Sequence, residues 1–307
     1  MDVYHRVFTP TRSGSAAAAL PCLVLHGGPG VPHDYLLPLS RLAAEEAQPA
    51  RCVAFFDQPG CGRSAAPAVA DAPPGLYSVA GHVALVAAVA RRLAADDPDT
   101  WRRGFHLLGQ SWGGVLALEF ALACGRDATL PRPRSVALAN TPADIAALHL
   151  EVARLMAELP SEVAAAMKKH EAEGTTGSPE YAAAVAAFYA RHQCVIQPRP
   201  ACVEAAFAAG GKVWRGTGVI ADWRAPPAAE LAAAWPPGVP ALLISGAADF
   251  VTPACVQPLA DALPATEWVL MDSCSHMPHL EAPAAFDAAL QRFWLAAEAA
   301  QDSCLIR

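Results

Sequence analysis

Short apolar runs alternate with longer Ala- and Leu-rich segments along most of the chain. The short runs are almost uniformly apolar and end at Gly, Pro or Asp, which is typical of parallel strands buried on both faces. They begin at Cys22, Cys52, Phe105, Ser135, Ala241 and Glu267. The longer segments have helical length and span residues 78–96, 112–124, 254–263 and 283–298. The alternation predicts an α/β fold with a mostly parallel central sheet flanked by helices.

The alternation stops between residues 143 and 236. This segment is rich in Ala and Glu, its pattern predicts several amphipathic helices, and it contains no apolar strand. We therefore expect an α/β core formed by residues 1–142 and 237–307, with residues 143–236 inserted as a helical cap. One further strand, "VYHRVF", is expected before the first apolar run.

The amino-acid composition limits which partners the protein can bind and indicates its cellular compartment. Hydrophobic residues make up 54% of the 307 positions and charged residues 17%, which suits a large buried core. The net charge of −7 argues against nucleic acid as a partner. Apolar runs are too short for a membrane span. The nine cysteines form no C-x-x-C pair, so neither a disulfide framework nor a zinc site is indicated, and a reducing, cytoplasmic location is expected.

Two terminal stretches imitate targeting signals without meeting their requirements. The stretch "AAAALPCLVL", residues 16–25, lacks a preceding basic region and is interrupted by Pro21, so we interpret its second half as a strand. The final "CLIR" has the outline of a prenylation box, but Arg307 is a poor last residue for one. The cytoplasmic expectation therefore stands, and the oligomeric state is left open.

The stretch "HLLGQSWGGVLALEF", residues 106–120, places one serine at a strand-to-helix junction. Ser111 lies two residues after Gly109 and two before Gly113. In so tight a turn, glycines at these positions remove side chains that would collide with the strand and the helix. This arrangement is a nucleophile elbow, in which a serine hydroxyl projects above the sheet edge. Ser111 is therefore the candidate nucleophile.

A serine hydroxyl needs a base that is oriented by an acid, and in elbow-containing folds the chain order is Ser, then Asp or Glu, then His. Asp249 follows the strand that begins at Ala241, and His276 follows the next strand. Both therefore have the required order and location. Asp144 is an alternative acid and His279 an alternative base.

Glycines after the first strong strand suggest an oxyanion hole. In "LHGGPG", residues 25–30, backbone amides after the strand end can point at a developing oxyanion. Gly28 is the first choice of donor and Gly27 the second, with the amide of Trp112 as the other donor. In "DQPGCGRS", residues 57–64, Asp57 and Arg63 are interpreted as residues that fix the loop.

Together, "HGGPG", "DQPGCGRS", "GQSWGG", "GAADFVTP" and "SHMPHLEAP" resemble the α/β-hydrolase superfamily and, within it, the proline iminopeptidase (prolyl aminopeptidase) family. The resemblance extends from about residue 20 to residue 294 and includes cap fragments such as "GTGVIADW". It implies that Ser111 is the nucleophile, Asp249 the acid and His276 the base, under a helical lid. No metal or cofactor is implied.

The chain departs from this family in one respect, the absence of a glutamate. Members of this family usually carry, just before the "GTG…DW" segment, a glutamate that helps to hold the free amino group of the substrate. This chain has no glutamate between residues 205 and 229, and Glu204 is the candidate substitute. The expected function is a serine hydrolase that releases N-terminal proline or a similar small residue from peptides. The alternatives are an amidase or esterase for a small acyl substrate, and a catalytically idle ligand-binding module.

Overall fold

The computed structural model of the protein describes residues 3–10, 19–64, 67 and 71–305, with only the backbone for 301–305. Residues 16–18 and 306–307, which belong to the two terminal stretches considered above, lie outside the described residues. The described residues form one sheet of seven strands in the order β1-β3-β2-β4-β5-β6-β7. The strands are β1 His5–Phe8, β2 Cys22–Leu25, β3 Val53–Phe56, β4 His106–Gln110, β5 Ser135–Ala139, β6 Ala241–Gly246 and β7 Thr266–Met271.

Helices connect and cover these strands. The α-helices are α1 Val79–Asp96, α2 Pro98–Trp101, α3 Trp112–Arg126, α4 Ile145–Ala157, α5 Ser161–Ala172, α6 Pro179–His192, α7 Ala201–Ala208, α8 Ala228–Ala234, α9 Pro253–Ala262, α10 Pro278–Glu281 and α11 Pro283–Leu305. Two 3-10 helices span His33–Ala43 and Thr217–Ile220. The chain is thus an α/β protein whose sheet is flanked by helices, as the sequence predicts.

The strands match the predicted apolar runs closely. β1 pairs antiparallel with β3, and all pairings among the other strands are parallel. The expectation that every run is buried on both faces is wrong for β7, where Leu270 is 44% exposed. β7 is the last strand in the order of the sheet that the described residues form. Periodicity within one segment cannot reveal this, because the edge position depends on strand order.

Successive residues of the central strands face two different apolar clusters. Leu23 and Leu25 join the cluster that contains α1, α3 and α9. Cys22 and Val24 join the cluster that contains the His33–Ala43 helix and α11. Both faces of the sheet are therefore packed by helices, which explains why the central strands are apolar throughout.

Residues 143–236 carry helices α4 to α8 and the shorter 3-10 helix, between β5 and β6. Helices α4, α5 and α6 share a small apolar cluster that includes Leu155, Met167 and Phe188. Helices α7 and α8 instead contribute Val203 and Leu231 to the two clusters of the sheet. The interpretation of this segment as an inserted cap stays a prediction, with its second half packed firmly on the core.

Candidate active site

Ser111 occupies a strained turn between β4 and α3. Its backbone has φ 57 and ψ −122, a positive φ that side-chain-bearing residues rarely adopt. A methyl group on Gly109 would overlap the carbonyl of Gly113, and one on Gly113 would overlap the carbonyl of Leu25. Both glycines are therefore required by the close approach of β4, α3 and β2. The turn presents the half-buried Ser111 at the carboxyl end of the sheet.

Asp249 and His276 form a buried pair on the loops after β6 and β7. The Nδ1 atom of His276 lies 2.8 Å from Oδ1 of Asp249, and these residues are 5% and 1% exposed. Asn140 Nδ2 donates to Asp249 Oδ2 over 2.7 Å, and the Val251 amide donates to Oδ1 over 2.9 Å. The carboxylate thus accepts hydrogen bonds at both oxygens. Because Nδ1 of His276 contacts Asp249, Nε2 is the imidazole nitrogen that remains available for proton transfer.

A cavity of about 480 Å³ brings the candidate residues together, since Ser111, His276 and Gly28 all line it. Its wall is mostly apolar. The apolar and aromatic lining residues are Pro29, Val31, Tyr35, Leu148, Val152, Phe188, Tyr189, Phe207, Phe250 and Met277. Such a cavity suits a small acyl group with little polarity.

The geometry favours Gly28 over Gly27 as an oxyanion donor. The Gly27 amide already donates to the hydroxyl of Tyr35 over 2.7 Å, which occupies its hydrogen. Gly28 has a φ of 115 and lines the cavity. Trp112 is the first residue of α3, where a backbone amide has no intrahelical acceptor. The amides of Gly28 and Trp112 therefore remain the candidate pair.

Comparisons with known proteins show the family of the chain. Residues 22–289 match the model of the Alpha/beta hydrolase family. A proline iminopeptidase of Levilactobacillus brevis is 33% identical, with 96% of this chain and 93% of the relative covered. The crystal structure of a proline iminopeptidase from Mycobacterium smegmatis is similar with a TM-score of 0.81 and 32% identity, covering 97% of this chain and 96% of that one.

The chain belongs to the proline iminopeptidase family of α/β hydrolases. A second family member, from Clostridium botulinum, is 30% identical and covers 85% of both chains. The crystal structure of VinJ is also similar, with a TM-score of 0.80 and 30% identity over 96% of this chain and 95% of that one. The protein is therefore a hydrolase.

A hydrogen-bond chain connects the loop of residues 26–30, called the oxyanion loop after its candidate role, to the loop that carries His276. Tyr35 accepts from the Gly27 amide and donates to Gln110 Oε1 over 2.5 Å. Gln110 Nε2 then donates to the carbonyl oxygen of His276 over 3.0 Å. Burial raises the pKa of the Tyr35 hydroxyl, so the group stays a donor. Tyr35 and Gln110 therefore position both loops, a role that sequence reasoning did not assign to either.

Replacing Tyr35 with phenylalanine is expected to lower kcat about tenfold or more, with a smaller change in KM, because a small displacement of the oxyanion loop misaligns the reacting groups. The free energy of unfolding should fall by about 1–3 kcal/mol, since the buried Gly27 amide loses its acceptor. Steady-state kinetics and urea unfolding measure the two effects. Tyr181→Phe is the control, because its hydroxyl bonds Glu171 at the surface. An unchanged kcat with reduced stability would leave Tyr35 a purely structural role.

A second set of hydrogen bonds joins the oxyanion loop to the elbow through Gln58. The Gln58 amide donates to His26 Nε2 over 2.9 Å, and its side chain donates to the His26 carbonyl over 2.9 Å. The indole of Trp112 donates to Gln58 Oε1 over 2.7 Å. Burial lowers the pKa of His26 to about 4, so its neutral ring can accept at Nε2. Gln58 thus fixes the loop that carries Gly28 relative to the start of α3, which carries Trp112.

The loop after β3 is held by Asp57, as expected from the sequence. Its carboxylate accepts from His33 Nδ1 over 2.6 Å and from the Arg63 amide over 2.9 Å. Burial by itself would raise the pKa of Asp57, but the hydrogen bond and charge of His33 lower it to about 2. Arg63 pairs mainly with Asp34, at 2.7 Å. Neither Asp57 nor Arg63 lines the cavity described above.

The structure places the alternative acid and base in other roles. Asp144 is the N-cap of α4, where its side chain accepts from the Ala147 amide over 2.9 Å. His279 lies 3.1 Å from the Tyr35 carbonyl through Nε2, and burial lowers its pKa to about 3. His276, and not His279, contacts Asp249 in the described residues.

Glu204 is not brought to the cavity. Its side chain is 59% exposed on α7 and lies 3.4 Å from Arg199. It is absent from the cavity lining, so its position lends no support to a role in holding a substrate amine. Because α7 packs against the His33–Ala43 helix through Val203 and Ala206, the Glu204 side chain on the other face points outward.

None of the described helices combines the length and the apolar character that crossing a membrane requires.

Proposed function

We propose that this hydrolase acts through Ser111 as a nucleophile and releases N-terminal proline, or a similar small residue, from peptides. The observation that carries the proposal is the buried Asp249–His276 pair beside the cavity that the elbow serine also lines. The family relatives named above support the substrate, because they are proline iminopeptidases.

The proposed reaction has two steps. Ser111 Oγ adds to the scissile carbonyl carbon while Nε2 of His276 takes its proton, and the amides of Gly28 and Trp112 hydrogen-bond the oxyanion. The C–N bond then breaks, and His276 returns the proton to the leaving amine. Water attacks the acyl ester in the same way and restores Ser111. Asp249 holds the imidazole tautomer and stabilises its charged form.

The proposed cap, residues 143–236, closes the cavity over the acyl group. It contributes apolar lining side chains from α4, α6 and α7, among them Leu148, Phe188 and Phe207. Together with Phe250, whose ring centroid lies 4.2 Å from that of His276, these groups limit access of water to the reacting atoms. An acyl residue as small and apolar as proline fits such surroundings.

A second candidate, an amidase or esterase for a small acyl substrate without an amine, is favoured by one observation. No Asp or Glu is among the described residues that line the cavity. A buried ammonium group without an anionic partner is costly, so an aminopeptidase would have to bind the amine through carbonyl and hydroxyl oxygens or in its neutral form.

Hydrolysis of a matched substrate panel distinguishes the two candidates. The panel contains prolyl-, alanyl- and N-acetylprolyl-2-naphthylamide with short acyl nitrophenyl esters, and the Ser111→Ala variant as the blank. The proposal expects kcat/KM for the prolyl amide to exceed that for its N-acetyl form by about tenfold or more, as a site built around one substrate group rejects analogues that lack it. If only esters and blocked amides are cleaved, the aminopeptidase proposal is wrong and the second candidate function takes its place.

A further inference from the structure

One permanently charged side chain, that of Arg215, lines the otherwise mostly apolar cavity. Arg215 lines the cavity and is also exposed, so its side chain lies between the cavity and solvent. Among the described residues, the hydrogen bond of its guanidinium is a long one, 3.5 Å from Nη2 to the Phe207 carbonyl. None of the ion pairs found there at 4.0 Å or less includes Arg215. The group therefore has donors available for a ligand.

The backbone around Arg215 is fixed beside the oxyanion loop. The Gly211 amide donates to the Gly30 carbonyl over 2.7 Å, and the Gly216 amide donates to the Pro29 carbonyl over 3.0 Å. Between these bonds, the Trp214 ring stacks on His82 with centroids 5.6 Å apart. The position of the Arg215 backbone relative to the cavity is thus set by three independent contacts.

The charge of Arg215 makes one part of the cavity different from the apolar part next to Ser111. An acyl group bound among the apolar side chains next to Ser111 leaves the solvent-facing part of the cavity, where Arg215 lies, for the leaving group. A guanidinium binds carboxylates well, since its planar donors match two carboxylate oxygens. The chain carries a net charge of −7, so a cation beside the cavity offsets a general repulsion of anions.

We propose that Arg215 binds a carboxylate on the leaving group and thereby selects short substrates, in which a free carboxylate follows closely after the scissile bond. For the peptide substrates of the proposed function, on which this inference rests, the preferred class is dipeptides with a free C-terminus. The contribution appears chiefly in KM, because the ion pair forms with the substrate before the acyl transfer and lies outside the reacting atoms.

The test compares prolyl-glycine with prolyl-glycinamide, which differ only in the charge of the leaving group. We expect kcat/KM to favour the free carboxylate by up to about fivefold, the upper end of the range for an exposed ion pair. Arg215→Gln should abolish this preference, Arg215→Lys should keep part of it, and Arg215→Glu should reverse it. Lys212→Gln removes an exposed cation from the same segment outside the cavity lining, and should leave the preference intact.

A second substrate pair separates a failure of this inference from a failure of the proposed function. If prolyl substrates are not cleaved, the same variants are compared on 4-carboxyphenyl acetate and 4-carbamoylphenyl acetate, whose acyl group has no amine. A carboxylate preference that falls in Arg215→Gln would support the inference while the aminopeptidase function fails. A preference that Arg215→Gln retains, or equal rates for the wild-type protein on both members of the pair, would overturn the inference.

Discussion

Replacement of Ser111 by alanine is expected to lower kcat by about a millionfold, the loss seen when a triad nucleophile is removed. The cause is the absence of any other hydroxyl at the elbow, where the strained backbone presents residue 111 to the cavity. The measurement is hydrolysis of the best substrate from the panel above, together with labelling by a fluorophosphonate probe and mass analysis. Wild-type protein should gain one probe adduct, and Ser111→Ala none.

Ser273→Ala is the matched control, because Ser273 is an exposed serine on the loop that carries His276. It should retain both the activity and the labelling of the wild-type protein. Circular dichroism of both variants shows whether the fold is kept. If wild-type Ser111 does not react with the probe and no substrate is cleaved, the chain would be a ligand-binding module with the family fold. If Ser111→Ala keeps its activity, the proposed nucleophile is wrong.

Replacement of Asp249 by asparagine is expected to lower kcat by about ten-thousandfold without unfolding the protein, as in other triads that lose this carboxylate. Asp249 accepts hydrogen bonds from His276, Asn140 and the Val251 amide. An amide at this position has only one acceptor oxygen, so its NH₂ must face either Asn140 Nδ2 or His276 Nδ1. When the NH₂ faces His276, the imidazole loses the acceptor that holds its proton on Nδ1, and Nε2 is no longer the free base.

Asp144→Asn is the control for this variant, since Asp144 is the other acid that chain order allows. Asparagine is as good an N-cap as aspartate, so the cap of α4 is kept and kcat should change little. The two variants are compared by kcat against pH, which reports the ionisation of the catalytic base. A large loss in Asp144→Asn with a small one in Asp249→Asn would exchange the roles of the two acids.

The fit between local motif and structure is closest at the elbow. Gly109, Ser111 and Gly113 are close in sequence, and Gly109 is limited sterically by Gly113 within the same turn, whereas Gly113 is limited by Leu25 of the neighbouring β2. The surroundings of the site were harder to foresee. Tyr35 meets Gln110 and Gly27 through a hydroxyl that no local pattern marks, and Gln58 joins His26 to Trp112 across two loops.

The orientation of side chains in the proposed cap was equally hard to predict from the sequence. The sequence suggests Glu204 as a substitute for the missing family glutamate, because it is the nearest acid before the gap. In the structure its helix face is turned to solvent, whereas Arg215 lines the cavity. Which face of a cap helix points inward depends on how that helix packs on the core, and a helix as short as α7 carries too little amphipathic pattern to show it.

The sequence by itself determined the α/β class, the apolar strands and the elbow, because each follows from the periodicity of a segment or from the steric needs of a few adjacent residues. It also set the order in which Ser111, Asp249 and His276 follow the strands. Only the tertiary structure decided that Asp249 contacts His276, that the Gly27 amide is occupied, that β7 is an edge strand and that an arginine faces the cavity. These features join residues far apart in the chain, and such contacts depend on how all the layers pack together.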